Sequence, residues 1–148
     1  MGLFDKLRKS KDTQDITITR KIWLAEEDCE AIQNYASKCG LTTGDLLTDC
    51  FNSKLDSFGE QVKATVQNPA SWKQFSQWQD EYQPHESLIA LPIQISQSTD
   101  NVIKACSVLF GDVYENILLF SFLDRLQVKD SEAYTKHQLK AEAKKNNQ

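Results

Sequence analysis

Ile16-Thr17-Ile18-Thr19-Arg20-Lys21-Ile22-Trp23-Leu24 alternates along its length and then runs straight into helical spacing, and that junction decides the fold. β-branched residues dominate, which suits a pleated, half-buried surface, and Ile16, Ile18, Ile22 and Leu24 fall on one side of a period-two pattern. Thr17, Thr19, Lys21 and Trp23 fall on the other. From Ala25 the period changes: Cys29, Ile32, Tyr35 or Ala36, and Cys39 recur every three or four residues, and Gly40 supplies a helix stop. Thr42, with Asp45 three residues on, makes a capping-box-like start for a second helix. Its apolar stripe is Leu46, Leu47, Cys50, Phe51 and Leu55. A strand, a helix, a glycine turn and a second helix cannot bury their own apolar surface, so the unit requires a partner copy.

The same chain contains one. An offset of 71 positions lays Leu88–Leu126 over Thr17–Leu55 without a gap, and seven residues coincide. They are Ile18/Ile89, Ile22/Ile93, Ile32/Ile103, Gly40/Gly111, Leu47/Leu118, Phe51/Phe122 and Leu55/Leu126. These matches mark the strand's apolar face, the helix stop and both helix stripes. The second copy therefore reads as strand Leu88–Ile95, helix Ser96–Phe110, Gly111, and a helix from Asp112 or Val113 to Leu126. Ser96 is placed to cap the first of these helices, and Asp112 with Glu115 makes an acidic start to the second. That last helix is apolar around much of its circumference and is expected to be deeply buried.

The order and spacing of residues 16–55, with Gly40 at the turn and the hydroxyls of Thr42 and Thr43 after it, resemble the ribbon-helix-helix (MetJ/Arc-like) family of DNA-binding proteins. Two copies in one chain are also similar to accessory factors of bacterial conjugation and T-DNA processing, plasmid-borne proteins that help a relaxase act, and to small transcriptional repressors. The resemblance implies a mainly α fold with a two-stranded antiparallel β-ribbon: a single-chain, pseudo-twofold ribbon-helix-helix unit with inserted linker helices, in which residues 16–24 and 88–95 pair. It implies sequence-specific binding of double-stranded DNA, the ribbon entering the major groove, in transcription regulation or DNA transfer. On this reading Thr17, Thr19, Lys21 and Trp23 address base edges, and Arg20 reaches a phosphate from the ribbon's flank. Thr42, Thr43 and Gly44, at the N-terminus of the second helix, hold the DNA backbone. The second copy has Leu88, Ala90, Pro92 and Gln94 at the outward positions and Asp112-Val113-Tyr114 at the turn, so one copy is expected to read DNA while the other completes the fold.

Size and charge bound this reading. At 148 residues the chain fits one ordinary domain or two small units sharing a core. No apolar run reaches the roughly 18 residues that span a bilayer, and cations interrupt the start, so a cytoplasmic protein without membrane insertion is expected. Net charge is −4, distributed as +3 over residues 1–21, −9 over 22–127 and +2 over 128–148. Residues 1–15 read as a flexible basic arm (Lys6, Arg8, Lys9, Lys11) that becomes ordered near a partner; a short amphipathic helix touching a membrane is the other reading. Residues 56–87 read as a helical linker. Phe58–Gln67 can extend the preceding helix, and Trp72, Phe75, Trp78 or Gln79, and Tyr82 form an aromatic stripe expected to pack as a strut rather than stack on nucleobases. Residues 128–148 read as a polar tail, with Ala133–Lys145 as a frayed basic helix.

Little here points to chemistry. The two histidines, His85 and His137, have no ligand-type residue at helical spacing and read as surface residues; no phosphate loop, nucleophile elbow or catalytic carboxylate pair is visible. The four cysteines lie at wide intervals without a CxxC pair and read as small core residues. No enzyme activity, cofactor or metal is expected. The −9 middle and the degenerate second copy support an alternative, a protein–protein interaction module that kept the fold and lost DNA. Because each copy completes the other, the chain is expected to fold as a monomer, or as a homodimer to span a longer site.

Overall fold

The computed structural model describes residues 15–72 and 87–146. The basic arm (Lys6, Arg8, Lys9, Lys11) and most of the aromatic stripe (Phe75 to Tyr82) lie outside the described residues. The protein is mainly helical with one two-stranded antiparallel sheet. In chain order the elements are β1 (Thr17–Leu24), α1 (Glu26–Cys39), α2 (Thr43–Asp56), α3 (Glu60–Gln67), β2 (Ile89–Ser96), α4 (Gln97–Phe110), α5 (Tyr114–Lys129) and α6 (Ser131–Asn146).

β1 pairs with β2 from Thr17↔Ser96 to Leu24↔Ile89, and Lys21 faces Pro92. Pro92 is Lys21's own counterpart at the 71-residue offset, as a twofold relating the two copies requires. The Gln97 amide donates to the Ile16 carbonyl at 2.8 Å, which sets the alternation of the ladder. By that alternation Lys21/Pro92 is a non-hydrogen-bonded pair, so proline's missing donor leaves the ladder intact.

The helices form where the local signals put them. Gly40 (φ 69°) and Gly111 (φ 68°) end α1 and α4 in the left-handed conformation, where a Cβ would strain the backbone. Thr42 Oγ1 accepts from the Asp45 amide at 3.1 Å, and Ser96 Oγ accepts from the Thr99 amide at 3.2 Å. α2 packs on α5, and both rest against the inner face of the ribbon. Five of the six apolar coincidences between the copies are buried at both members: Ile22/Ile93, Ile32/Ile103, Leu47/Leu118, Phe51/Phe122 and Leu55/Leu126. A core built from equivalent positions of two copies is therefore shared about the ribbon.

The repeat runs further than the sequence reading carried it. Phe58–Gln67 does not simply extend α2. Ser57–Gly59 interrupts the chain, with Gly59 at φ 95°, and α3 turns to pack on α4. At the same offset α6 is the counterpart of α3, and it packs on α1. The expected polar tail is thus largely a docked helix. His137, expected at the surface, is buried at 6% exposure and contacts Asp28 Oδ1 at 2.7 Å. Two apolar-stripe assignments also change. Ile16 lies just outside the paired strand and is exposed, and Cys39, in the last turn of α1, faces solvent.

Candidate nucleic-acid interface

Period two sends Thr17, Thr19, Lys21 and Trp23 to the outer side of β1; the first three are exposed and Trp23 is half-buried. On β2 the same face carries Ala90, Pro92 and Gln94, all exposed, and Ser96, half-buried. Cross-strand neighbours are Thr17/Ser96, Thr19/Gln94, Lys21/Pro92 and Trp23/Ala90. The Gln94 amide donates to Thr19 Oγ1 at 3.5 Å, a long contact that leaves both groups at the surface. Gln94 therefore joins the residues singled out from β1. Its outward place followed from the strand's period, but the reading of the second copy as degenerate passed over it.

Arg20 is on the opposite face. Its guanidinium, a quarter exposed, turns inward to Asp100, which is fully buried, with Nη2 donating to Oδ2 at 2.9 Å and Nε donating to Oδ1. Tyr114 Oη donates to the same carboxylate at 2.7 Å, Lys104 Nζ lies 3.5 Å from it, and the Arg20 guanidinium carbon sits 5.0 Å from the centre of the Tyr114 ring. Burial, then the neighbouring carboxylate, push the Tyr114 phenol well above its usual range, so it stays a hydrogen-bond donor. The sequence placed Arg20 on the flank, aimed at a phosphate; the structure engages it in a buried charge cluster. Asp100, 80 residues away, gave no local sign of this.

Each strand touches the start of a long helix. Gly44, in the first turn of α2, lies so close to β2 that an added Cβ would sit 2.0 Å from the Gln94 carbonyl oxygen. Only glycine fits. Its counterpart in α5 is Glu115, whose Oε2 accepts the Trp23 amide at 3.0 Å. Glu115 is 6% exposed and its Oε1 has no hydrogen-bond partner; burial raises its carboxyl above the ordinary value. Thr42 and Thr43 stand at the start of α2. At the start of α5, Asp112 Oδ1 accepts the Val113 amide at 2.8 Å and the Asn116 side chain at 2.7 Å. Thr42, Thr43 and Gly44 thus lie beside the Gln94 end of the ribbon, and two carboxylates beside the Trp23 end.

Elsewhere the chemistry is sparse. Burial pushes the thiols of Cys29 and Cys50 up to about 11 and that of Cys106 to about 12, so all three stay protonated and pack as apolar groups. Among the described residues, no group of three or more His, Cys, Asp or Glu could hold a metal ion, and no single helix is long and apolar enough to cross a membrane. No family model, curated protein or solved structure matches the chain.

Proposed function

We propose that this chain is a sequence-specific double-stranded DNA-binding protein of ribbon-helix-helix architecture that lays the outer face of β1–β2 in the major groove. One observation carries the reading: a two-stranded ribbon of eight residues per strand turns Thr17, Thr19, Lys21 and Gln94 to solvent while its other face joins the core. A ribbon of this width enters the major groove, where hydroxyl, ammonium and amide groups meet the donors and acceptors of base edges. Thr42, Thr43 and the α2 N-terminus beside it suit a backbone phosphate. With a net charge of −4, binding has to come from this oriented face rather than from bulk attraction. Service as a transcriptional regulator or as a DNA-transfer accessory factor working with a relaxase fits such a reader.

The test is retention of genomic and plasmid fragments across a salt titration. Site-selective retention is expected. Lys21→Ala should weaken binding to the selected fragments, as loss of a base-edge contact does, and Thr19→Ala should change which fragments are kept. Lys21 is the one cation at the outward positions of the described ribbon, which favours a protein partner as the second reading. The absence of site-selective retention, with both variants behaving like the parent, would decide for it.

A further inference from the structure

The two ends of the ribbon are equivalent in backbone and opposite in chemistry, and the helix starts beside them differ in the same sense. The twofold passes through Lys21/Pro92 and exchanges the Thr19/Gln94 pair with Ala90/Trp23. One end therefore offers a hydroxyl and a carboxamide. The other offers a methyl group and a half-buried indole. The polar end adjoins the α2 start through the Gly44–Gln94 contact, and the apolar end adjoins the α5 start through the Glu115–Trp23 hydrogen bond. Beside the α5 start the Asp112 carboxylate accepts the Val113 amide, so a phosphate arriving there meets like charge.

We infer that a single chain binds a non-palindromic duplex in one fixed orientation, hydrogen-bonding to bases and gripping phosphate at the Thr19/Gln94 end while the Trp23/Ala90 end makes apolar contacts. This rests on the DNA-binding reading above and deepens it. A glutamine at the groove floor pairs bidentately with adenine N6 and N7, whereas a methyl or an aromatic edge suits the thymine methyl group. The ligand is accordingly duplex DNA with a hydrogen-bonded half-site containing adenine and a thymine-methyl half-site. Lys21 lies on the axis between them.

The experiment selects binders from duplexes with about ten randomised base pairs, one helical turn, in fixed flanks, with 1:1 stoichiometry verified by sedimentation. An asymmetric motif is expected. Gln94→Ala, at an exposed position, should lose preference at one side of the motif only, with folding checked by circular dichroism. Asp112→Asn keeps a side-chain oxygen for the Val113 amide and removes the charge; it should steepen the salt slope by about one unit as a second phosphate is admitted. A palindromic motif, or Gln94→Ala relaxing both sides equally, overturns the inference while leaving DNA binding intact. No retained duplex at any salt concentration brings down the DNA-binding reading itself.

Discussion

Helices α3 and α6 are counterparts, each crossing to the first helix of the other copy, yet they are held by different forces. α3 reaches α4 through apolar groups. Val66 is fully buried, and Phe58 meets Phe110 edge-to-face with ring centres 5.0 Å apart. At the Val66 position α6 has His137, paired with Asp28, and Lys38–Asp130 (2.6 Å), Lys140–Glu30 and Lys144–Glu27 (3.0 Å) line the same contact with α1. A groove of about 460 Å³ opens there, with Ala31, Tyr35, Leu126 and Ala133 in its lining. One symmetric framework thus accepts an apolar or an ionic seam at the same place, provided each is internally consistent.

The buried cluster extends that contrast into the core, and breaking it should have the largest effect. Arg20, Asp100 and Tyr114 correspond to Leu91, Cys29 and Thr43 in the other half, where Leu91 and Cys29 are buried. Asp100→Ala removes the acceptor shared by Arg20 and Tyr114. Breaking a buried pair in this way costs about 3–5 kcal/mol, to be read from urea unfolding. Arg20→Leu combined with Asp100→Cys, Lys104→Gln and Tyr114→Phe removes every charge of the cluster and should recover most of that loss, since an apolar replacement of a buried ion pair is often neutral or better. A combined variant no more stable than Asp100→Ala would show that the cluster is needed for a unique fold.

Gly44 sharpens the contrast at the helix starts. Gly44→Ala puts a methyl carbon 2.0 Å from a backbone oxygen that has no rotamer to escape into. Either α2 or β2 must shift, at about 1–3 kcal/mol. Thermal unfolding checks this.

The two seams should part with salt. Screening weakens exposed ion pairs and leaves apolar contacts in place. Amide exchange in α6 should therefore quicken from low to high salt while α3 stays protected. Equal responses would mean that the lining of Ala31, Leu126 and Ala133, not the ion pairs, holds α6.

Much of this was legible in the sequence, for physical reasons. Period-two alternation sorted the strand into an inner and an outer face, and the core positions repeat because both copies face one shared interior. The offset also implied the strand partner, since a twofold must pair one residue of β1 with its own counterpart, and the structure makes that pair Lys21 and Pro92. Helical segments were expected at α3 and α6, but their kinship and docking escaped because their seams use different chemistry, and only Gln67/Gln138 coincides between α3 and the matching part of α6. Arg20, His137 and Glu115 escaped for a related reason: a polar side chain looks solvated until its distant partner is known.

Glu115 carries the smallest predicted effect and the most specific one. Where the first copy brings glycine against the strand, the second inserts a carboxylate that accepts the Trp23 amide with one oxygen and leaves the other unpaired in a buried site. Burial disfavours the charged form, so the folded-state carboxyl lies above the ordinary 4.5. For a raised group the stabilising contribution is complete below the unfolded value and is lost as pH rises through the folded one. Above that folded-state value the protein therefore carries a charged Glu115 at some loss of stability. Glu115→Gln keeps an oxygen for the Trp23 amide and replaces the charge with a neutral carboxamide. Its Tm should exceed the parent's by a few degrees on the alkaline side of the folded-state value, and the difference should close as pH falls through that value and the parent carboxyl also becomes neutral. A gap that stays constant across that range would mean that the effect comes from packing rather than ionisation. A Tm below the parent's on that alkaline side would mean that attraction between the carboxylate and the α5 N-terminus outweighs its desolvation.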